Sequence, residues 1–287
     1  MSAYLSTLES IYLPAVVIFS LLVGSFLNVV IHRLPIIMMN SWRREAAEIL
    51  DQQEISDDQP ISLSKPRSRC PQCGHAIRWY ENIPILSYLL ILKGRCSGCD
   101  SSISMRYPMI EGLTAVVGLS IALYFGFTLQ MLIMLFVSYS LIVLIFIDAD
   151  HQLLPDQITL PLLWAGLLVN LVFGWVPLDS AVIGAMIGYL VLWLVFWLFK
   201  LVTGKEGMGY GDFKLLSALG AWGGYAILPG IILISSVAGV IYALIGALFG
   251  RQDLTKPMPF GPFLALAGWL MLIWGDQINQ WYLSLLL

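Results

Sequence analysis

Hydrophobic positions in this chain neither alternate nor recur on a single face; they run on without interruption. Stretches rich in Leu, Val, Ile and Phe occupy residues 12–31, 109–127, 130–147, 158–176, 180–200, 213–228, 230–249 and 259–275. Each approaches the ~20 apolar residues that a helix needs to cross a hydrocarbon core of about 30 Å. Backbone polar groups in lipid must be satisfied within the segment itself, which makes these runs helices. The prediction is an all-α polytopic membrane protein of about eight transmembrane helices. The sixth and seventh runs are separated only by a Leu228-Pro229-Gly230 turn, so this is the least marked boundary.

Residues 33–107 break the pattern. This polar stretch holds all four cysteines and the acidic run Glu45, Glu48, Asp51, Glu54, Asp57 and Asp58. It predicts a small cytoplasmic domain inserted between the first and second spans. The chain then divides into residues 1–32, a first transmembrane helix; 33–107, the inserted domain; and 108–287, a membrane domain of about seven helices. Trp42 to Gln53 reads as an amphipathic helix with Trp42, Ala46, Ile49 and Leu50 on one side. The Asp57-Asp58-Gln59-Pro60 cluster would end it, and the acidic run is its solvated face. Small-xxx-small pairs (Gly184/Gly188, Gly220/Gly224 and Gly246/Gly250) predict close helix packing. No sequence repeat and no low-complexity tract stands out.

Composition and charge turn the pattern into a topology. Of the 287 residues, 59% are hydrophobic and 11% charged, and the mean hydropathy is +0.83; these values lie outside the range of soluble domains. The first run is no cleavable signal, because it lacks a basic start, carries Glu9 and is too long. Ten of the fifteen Lys and Arg residues lie between Arg33 and Arg106, and the rest are Lys200, Lys205, Lys214, Arg251 and Lys256. With eight spans and an external N-terminus, all of them fall on the cytoplasmic side, as the positive-inside rule requires. The lipid bilayer is thus a partner, and no nucleic acid is expected.

Two C-x-x-C pairs, Cys70-Pro-Gln-Cys73 and Cys96-Ser-Gly-Cys99, form the first chemical constellation. Four thiolates so spaced suit a closed, tetrahedral structural zinc site. Disulfides are disfavoured in a reducing cytoplasm, and redox chemistry usually needs a single pair. The second constellation is a pair of aspartates at helix-loop junctions: Asp148, in Phe146-Ile-Asp-Ala-Asp-His, and Asp212, in Gly207-Met-Gly-Tyr-Gly-Asp. A carboxylate beside an apolar span is expensive and marks a functional site by default. Two that meet would share one proton, the ionised member activating water and the protonated member bonding a substrate carbonyl. Taken singly, each Asp could instead cap a helix or reach the interface; Asp212 is well placed as an N-cap, and Asp150 and Asp156 are held in reserve. Helix ends predict Asp212, opening a span, as the resting base and Asp148, closing one, as the resting acid.

Together these blocks carry a resemblance. The matching segments are Gly24-Ser-Phe-Leu-Asn-Val-Val-Ile-His-Arg33, Ser68-Arg-Cys-Pro-Gln-Cys73, Ile77-Arg-Trp-Tyr-Glu-Asn-Ile-Pro84, Gly94-Arg-Cys-Ser-Gly-Cys99 and Ile103-Ser-Met-Arg-Tyr-Pro108. Asp148-Ala-Asp-His-Gln-Leu-Leu-Pro-Asp156 and Gly207-Met-Gly-Tyr-Gly-Asp-Phe-Lys214 complete the set. In this order they resemble the type IV prepilin peptidases of bacterial inner membranes, a branch of the GxGD aspartyl proteases. The resemblance implies a bifunctional enzyme. It would remove the basic leader of type IV prepilins or type II secretion pseudopilins at the cytoplasmic face. It would then N-methylate the new N-terminus with S-adenosylmethionine. The resemblance also implies Asp148 and Asp212 as the protease pair, and Cys70, Cys73, Cys96 and Cys99 as zinc ligands. No motif for the methyl donor is visible; the segment Arg78-Trp-Tyr-Glu81 is the one place suggested for it. The rivals are an ion-coupled transporter, which would want polar groups at mid-depth, and a docking scaffold, which would show no turnover.

Overall fold

The apolar runs do become helices. A computed structural model describes residues 2–51, 61–249 and 258–286. Its eight α-helices are α1 (Ser2–Ile49), α2 (Arg106–Phe125), α3 (Leu129–His151), α4 (Asp156–Phe173), α5 (Leu178–Thr203), α6 (Tyr210–Gly223), α7 (Leu228–Leu248) and α8 (Gly261–Leu286). Among the described residues, six helical segments are long and apolar enough to cross a membrane: those within α1 to α5, and Tyr225–Leu248. The chain is therefore an all-α, multi-pass membrane protein. It divides into two compact units, residues 1–139 and 140–287.

In the first unit, α1 is longer than expected. It passes through Pro14 and Pro35 and continues to Ile49, joining the first apolar run and the expected amphipathic segment into one helix. A proline in a helix removes one hydrogen bond, and neighbouring groups in a membrane helix can compensate for that loss. Beyond Asp51, Glu54 and the Asp57-Asp58-Gln59-Pro60 cluster lie outside the described residues. α1 packs on α2 at two glycines. A Cβ on Gly24 would stand 2.8 Å from the Glu111 Cα, and one on Gly118 would strike the Ser20 hydroxyl. That hydroxyl lies 2.6 Å from the Tyr139 hydroxyl. Asn28 Nδ2 donates to the Tyr107 carbonyl at 3.2 Å, fixing the start of α2.

In the second unit, α6 is the centre. Its 14 residues span about 21 Å at 1.5 Å per residue, short of a bilayer core. Every residue from Asp212 to Trp222 except Lys214 is buried. The expected division at Leu228-Pro229-Gly230 is wrong by one turn. The break lies at Gly224, whose φ of 75° suits glycine, and Pro229 sits in the first turn of α7, where its missing N–H costs nothing. The last carbonyls of α6 do not go unpaired. Asn170 of α4 donates to Ala221 O at 2.8 Å and to Trp222 O at 3.2 Å, so a helix can end among apolar neighbours. The expected close packing is present between α5 and α6. A Cβ on Gly184 would lie 2.5 Å from the Gly220 carbonyl, one on Gly188 would lie 2.7 Å from that of Leu216, and Ser217 Oγ donates to Ala185 O at 2.7 Å. Gly250, Arg251 and Lys256 fall outside the described residues.

Candidate active site and metal centre

The second unit brings the two singled-out aspartates together. Asp148, in the last turn of α3, is 5% exposed, and Asp212, in the first turn of α6, is 6% exposed. They are the buried aspartates among the described residues, and near enough to interact electrostatically. Asp212 is not the N-cap of α6. Gly209 holds that position, and the Asp212 N–H donates to its carbonyl at 3.2 Å. The carboxyl is thereby left over for other work, with Oδ1 buried and without a hydrogen-bond partner among the described residues. Asp156, the other expected cap, is the first residue of α4. It is exposed, and both its oxygens accept from Lys214 Nζ, at 2.7 and 2.8 Å. Asp150 is exposed as well.

Sequence reasoning missed a third participant. The N–H of Gly261, the first residue of α8, donates to Asp148 Oδ2 at 3.0 Å. A Cβ there would stand 2.7 Å from that oxygen, so only glycine lets the backbone come this close. Leu154 fits between Gly261 and Gly211: a Cβ on Gly211 would meet its Cβ at 2.7 Å, and one on Gly261 its Cδ1 at 3.2 Å. Nothing in the sequence marked the contact beyond the Pro259-Phe-Gly-Pro262 start of the last apolar run, 113 residues from Asp148. This contact also removes the premise of the helix-end assignment. Both carboxylates now stand at helix N-termini, where N–H groups favour an anion, so the ends of α3 and α6 no longer separate base from acid.

The polar insert of the first unit gathers the four cysteines, whose sulfurs all lie within 4.8 Å of one another. Cys70 and Cys99 Sγ are 3.9 Å apart, as are those of Cys73 and Cys96. A tetrahedron of Zn–S bonds near 2.3 Å has an edge of about 3.8 Å. The thiols also shift one another. The backbone N–H groups of Cys73 and Gln72 draw the Cys70 thiol down to about 6. Cys73, although it faces the His75 N–H, is pushed up to about 12, the Cys99 sulfur leading that rise. The geometry could hold a metal ion, and the ligands match the four residues expected.

Around these sulfurs the structure contains a repeat longer than the C-x-x-C pairs, marked in sequence by Arg-Cys-x-x-Cys-x-x-x-Ile at 69–77 and 95–103. Arg69 bridges Ala76, and Arg95 bridges Ser102. Cys70 N donates to His75 O and Cys96 N to Ser101 O, each at 2.9 Å; Gly74 N donates to Cys70 O and Asp100 N to Cys96 O, at 2.9 and 3.0 Å. Residues 68–77 and 94–103 are thus two copies of one knuckle. Glu81 braces them. Its Oε2 accepts the Arg78 N–H at 2.8 Å and faces His75 of the first knuckle, and Oε1 accepts the hydroxyl of Ser97 in the second at 2.6 Å. These bonds, the Arg78 N–H first, hold the Glu81 carboxyl below the usual range. The other members of the suggested segment point elsewhere; Trp79 is 81% exposed.

Comparison with known proteins places both units. Residues 18–125 match the model of the bacterial peptidase A24 N-terminal domain, and residues 135–244 that of the type IV leader peptidase family. The chain is 53% identical over 279 residues to a prepilin leader peptidase/N-methyltransferase of Aeromonas salmonicida (strain A449), with 96% of each chain covered. It is 51% identical over 281 residues to that of Pseudomonas aeruginosa, covering 98% of this chain and 97% of the relative. For Dichelobacter nodosus the identity is 52% over 268 residues, 92% of each. No solved structure matches. With relatives this similar over nearly its whole length, the chain belongs to the type IV leader peptidase family.

Proposed function

We propose that this membrane protein is an aspartic endopeptidase that removes the leader peptide of prepilins and then N-methylates the new N-terminus. The observation that carries the protease half is the meeting of Asp148 and Asp212, both buried, at one end of α6 and against the start of α8. The relatives' shared name supports both halves. Type II secretion pseudopilins are substrates of the same chemical kind. In this reading the enzyme sits in the bacterial inner membrane with the dyad at the cytoplasmic face, which the sorting of its basic residues supports.

The dyad holds one proton between its two carboxyls, since like charges this close do not both ionise. The ionised member takes a proton from water as the oxygen attacks the scissile carbonyl, and the protonated member donates to that carbonyl. As the C–N bond breaks, the leaving amine takes a proton, and the pair returns to one proton. The buried Asp212 Oδ1 has spare accepting capacity for this work, and Gly261 fixes Asp148 in place. Cys70, Cys73, Cys96 and Cys99 would hold a structural zinc ion, which would close the insert and take no part in hydrolysis. S-adenosylmethionine would supply the methyl group to the new N-terminal amine, which would give up a proton.

The test is the purified chain in lipid with a prepilin, assayed for a leader-shortened product and for methyl incorporation. Substrate binding without turnover would make it a scaffold. Among the described residues, buried acids are confined to Glu81, Glu111, Asp148 and Asp212, which gives a coupled transporter no chain of ionisable groups through the second unit.

A further inference from the structure

The first unit contains a cavity that the peptidase chemistry does not use. Its volume is about 450 Å³, and it lies between the end of the first apolar run in α1, the start of α2 and the two knuckles. Small-molecule sites occupy roughly 300–1,000 Å³. Two of the four buried acids among the described residues line it, Glu81 and Glu111. Glu111 is the more telling, because a carboxylate in a membrane helix is retained for a function. Its Oε2 accepts the Ile85 N–H at 2.8 Å, Ser25 bonds the same carboxyl, and a carboxylate has about four acceptor sites, so Glu111 keeps accepting capacity beside the cavity that it lines. On the same wall Arg33 is oriented by the carbonyls of Ser62, Leu63 and Pro66, which position its charge without neutralising it. Tyr88 adds an aromatic ring.

We propose that this cavity binds S-adenosylmethionine, with Glu111 facing its cationic sulfonium and amino end and Arg33 its carboxylate. The inference rests on the methyltransferase reading above and gives it a place. The chemistry matches in sign: the ligand carries two positive centres, one carboxylate and a planar base, and the walls offer two buried carboxylates, a guanidinium and an aromatic ring. Size matches too. Cys70 and Cys96 also line the cavity, so the metal centre forms one of its walls. Removing the metal therefore removes the binding site while leaving the aspartate pair in the other unit.

The test is equilibrium binding of tritiated S-adenosylmethionine to the full, zinc-loaded chain in lipid nanodiscs, read beside zinc content, leader cleavage and prepilin binding. Glu111→Gln keeps the shape and can still accept from Ile85. It should bind the donor about tenfold to hundredfold more weakly, the range for losing a charge-assisted contact. S-adenosylhomocysteine, neutral at sulfur, should lose less. Ser25→Leu, which puts a larger side chain into the cavity, should stop binding of both. Wild-type protein stripped of zinc should lose donor binding and keep cleavage. If Glu111→Gln and Ser25→Leu bind the donor as the wild type does, the site is wrong although the methyltransferase reading stands. If they lose prepilin binding alone, the cavity belongs to the peptide and the proposal also falls. Wild-type protein that cleaves but neither binds nor methylates would instead sink the methyltransferase reading. Should Ser25→Leu release zinc, Glu111→Gln decides alone.

Discussion

That Asp148 and Asp212 stand apart from the other aspartates was legible from sequence, because an ionisable group beside an apolar run is costly enough to demand a reason. If they act as the proton-sharing unit proposed, they should fail together. Asp148→Asn and Asp212→Asn should each abolish leader cleavage with the protein still inserted, and the double variant should be no worse than either single. Cleavage surviving in one of them would move the role to Asp150. Gly261 was not legible, because a backbone N–H leaves no trace in composition and its partner is 113 residues away. A Cβ on Gly261 would stand 2.7 Å from Asp148 Oδ2, so Gly261→Ala must displace the carboxyl or the start of α8. Misplacement by an ångström costs on the order of 100-fold. We expect kcat for cleavage to fall by about that factor with prepilin binding unchanged; full activity in this variant would show that Asp148 does not need the contact.

Helix existence was readable and helix limits were not. Apolar runs announce spans, but their ends misled twice. The polar stretch from residue 33 suggested a new domain where α1 runs on to Ile49, and Pro229 opens α7, where a turn was expected. The two C-x-x-C pairs were readable, but the length of the repeat around them was not, because most of its likeness resides in hydrogen bonds between backbone groups, while side chains such as His75 and Ser101 differ. The short α6 makes its own demand. Its terminal carbonyls depend on Asn170, and side-chain hydrogen bonds between membrane helices contribute about 0.6 kcal/mol each on average. Asn170→Leu, which orphans two carbonyls, should lower stability by about 1–3 kcal/mol, read as a shifted unfolding midpoint in lipid-detergent mixtures; an unchanged midpoint would mean that other groups satisfy them. A metal held by the four cysteines would have a comparable role in the insert. Stoichiometric zinc should copurify, and Ser at any of the four cysteines should release it and open residues 61–105 to protease.

At the level of the molecule, the sorting of charge gives a direct expectation. Lys205→Cys should react with a membrane-impermeant maleimide only after the membrane is opened, and Asp179→Cys should react in intact spheroplasts. The reverse pattern would invert the protein and place the dyad outside.

The repeated knuckle also constrains the order of events at the ribosome. Each copy supplies two sulfurs, and two sulfurs do not make a closed site. A metal bound by all four sulfurs would therefore be captured only once Cys99 has emerged, when α1 is complete and α2, which begins at Arg106, is still inside the ribosome. The insert would then close in the interval between two helices entering the bilayer, and present α2 with a finished edge to dock against. A cell short of zinc would make this protein with its first helix in place and its second without a partner surface, a defect of assembly and not of catalysis.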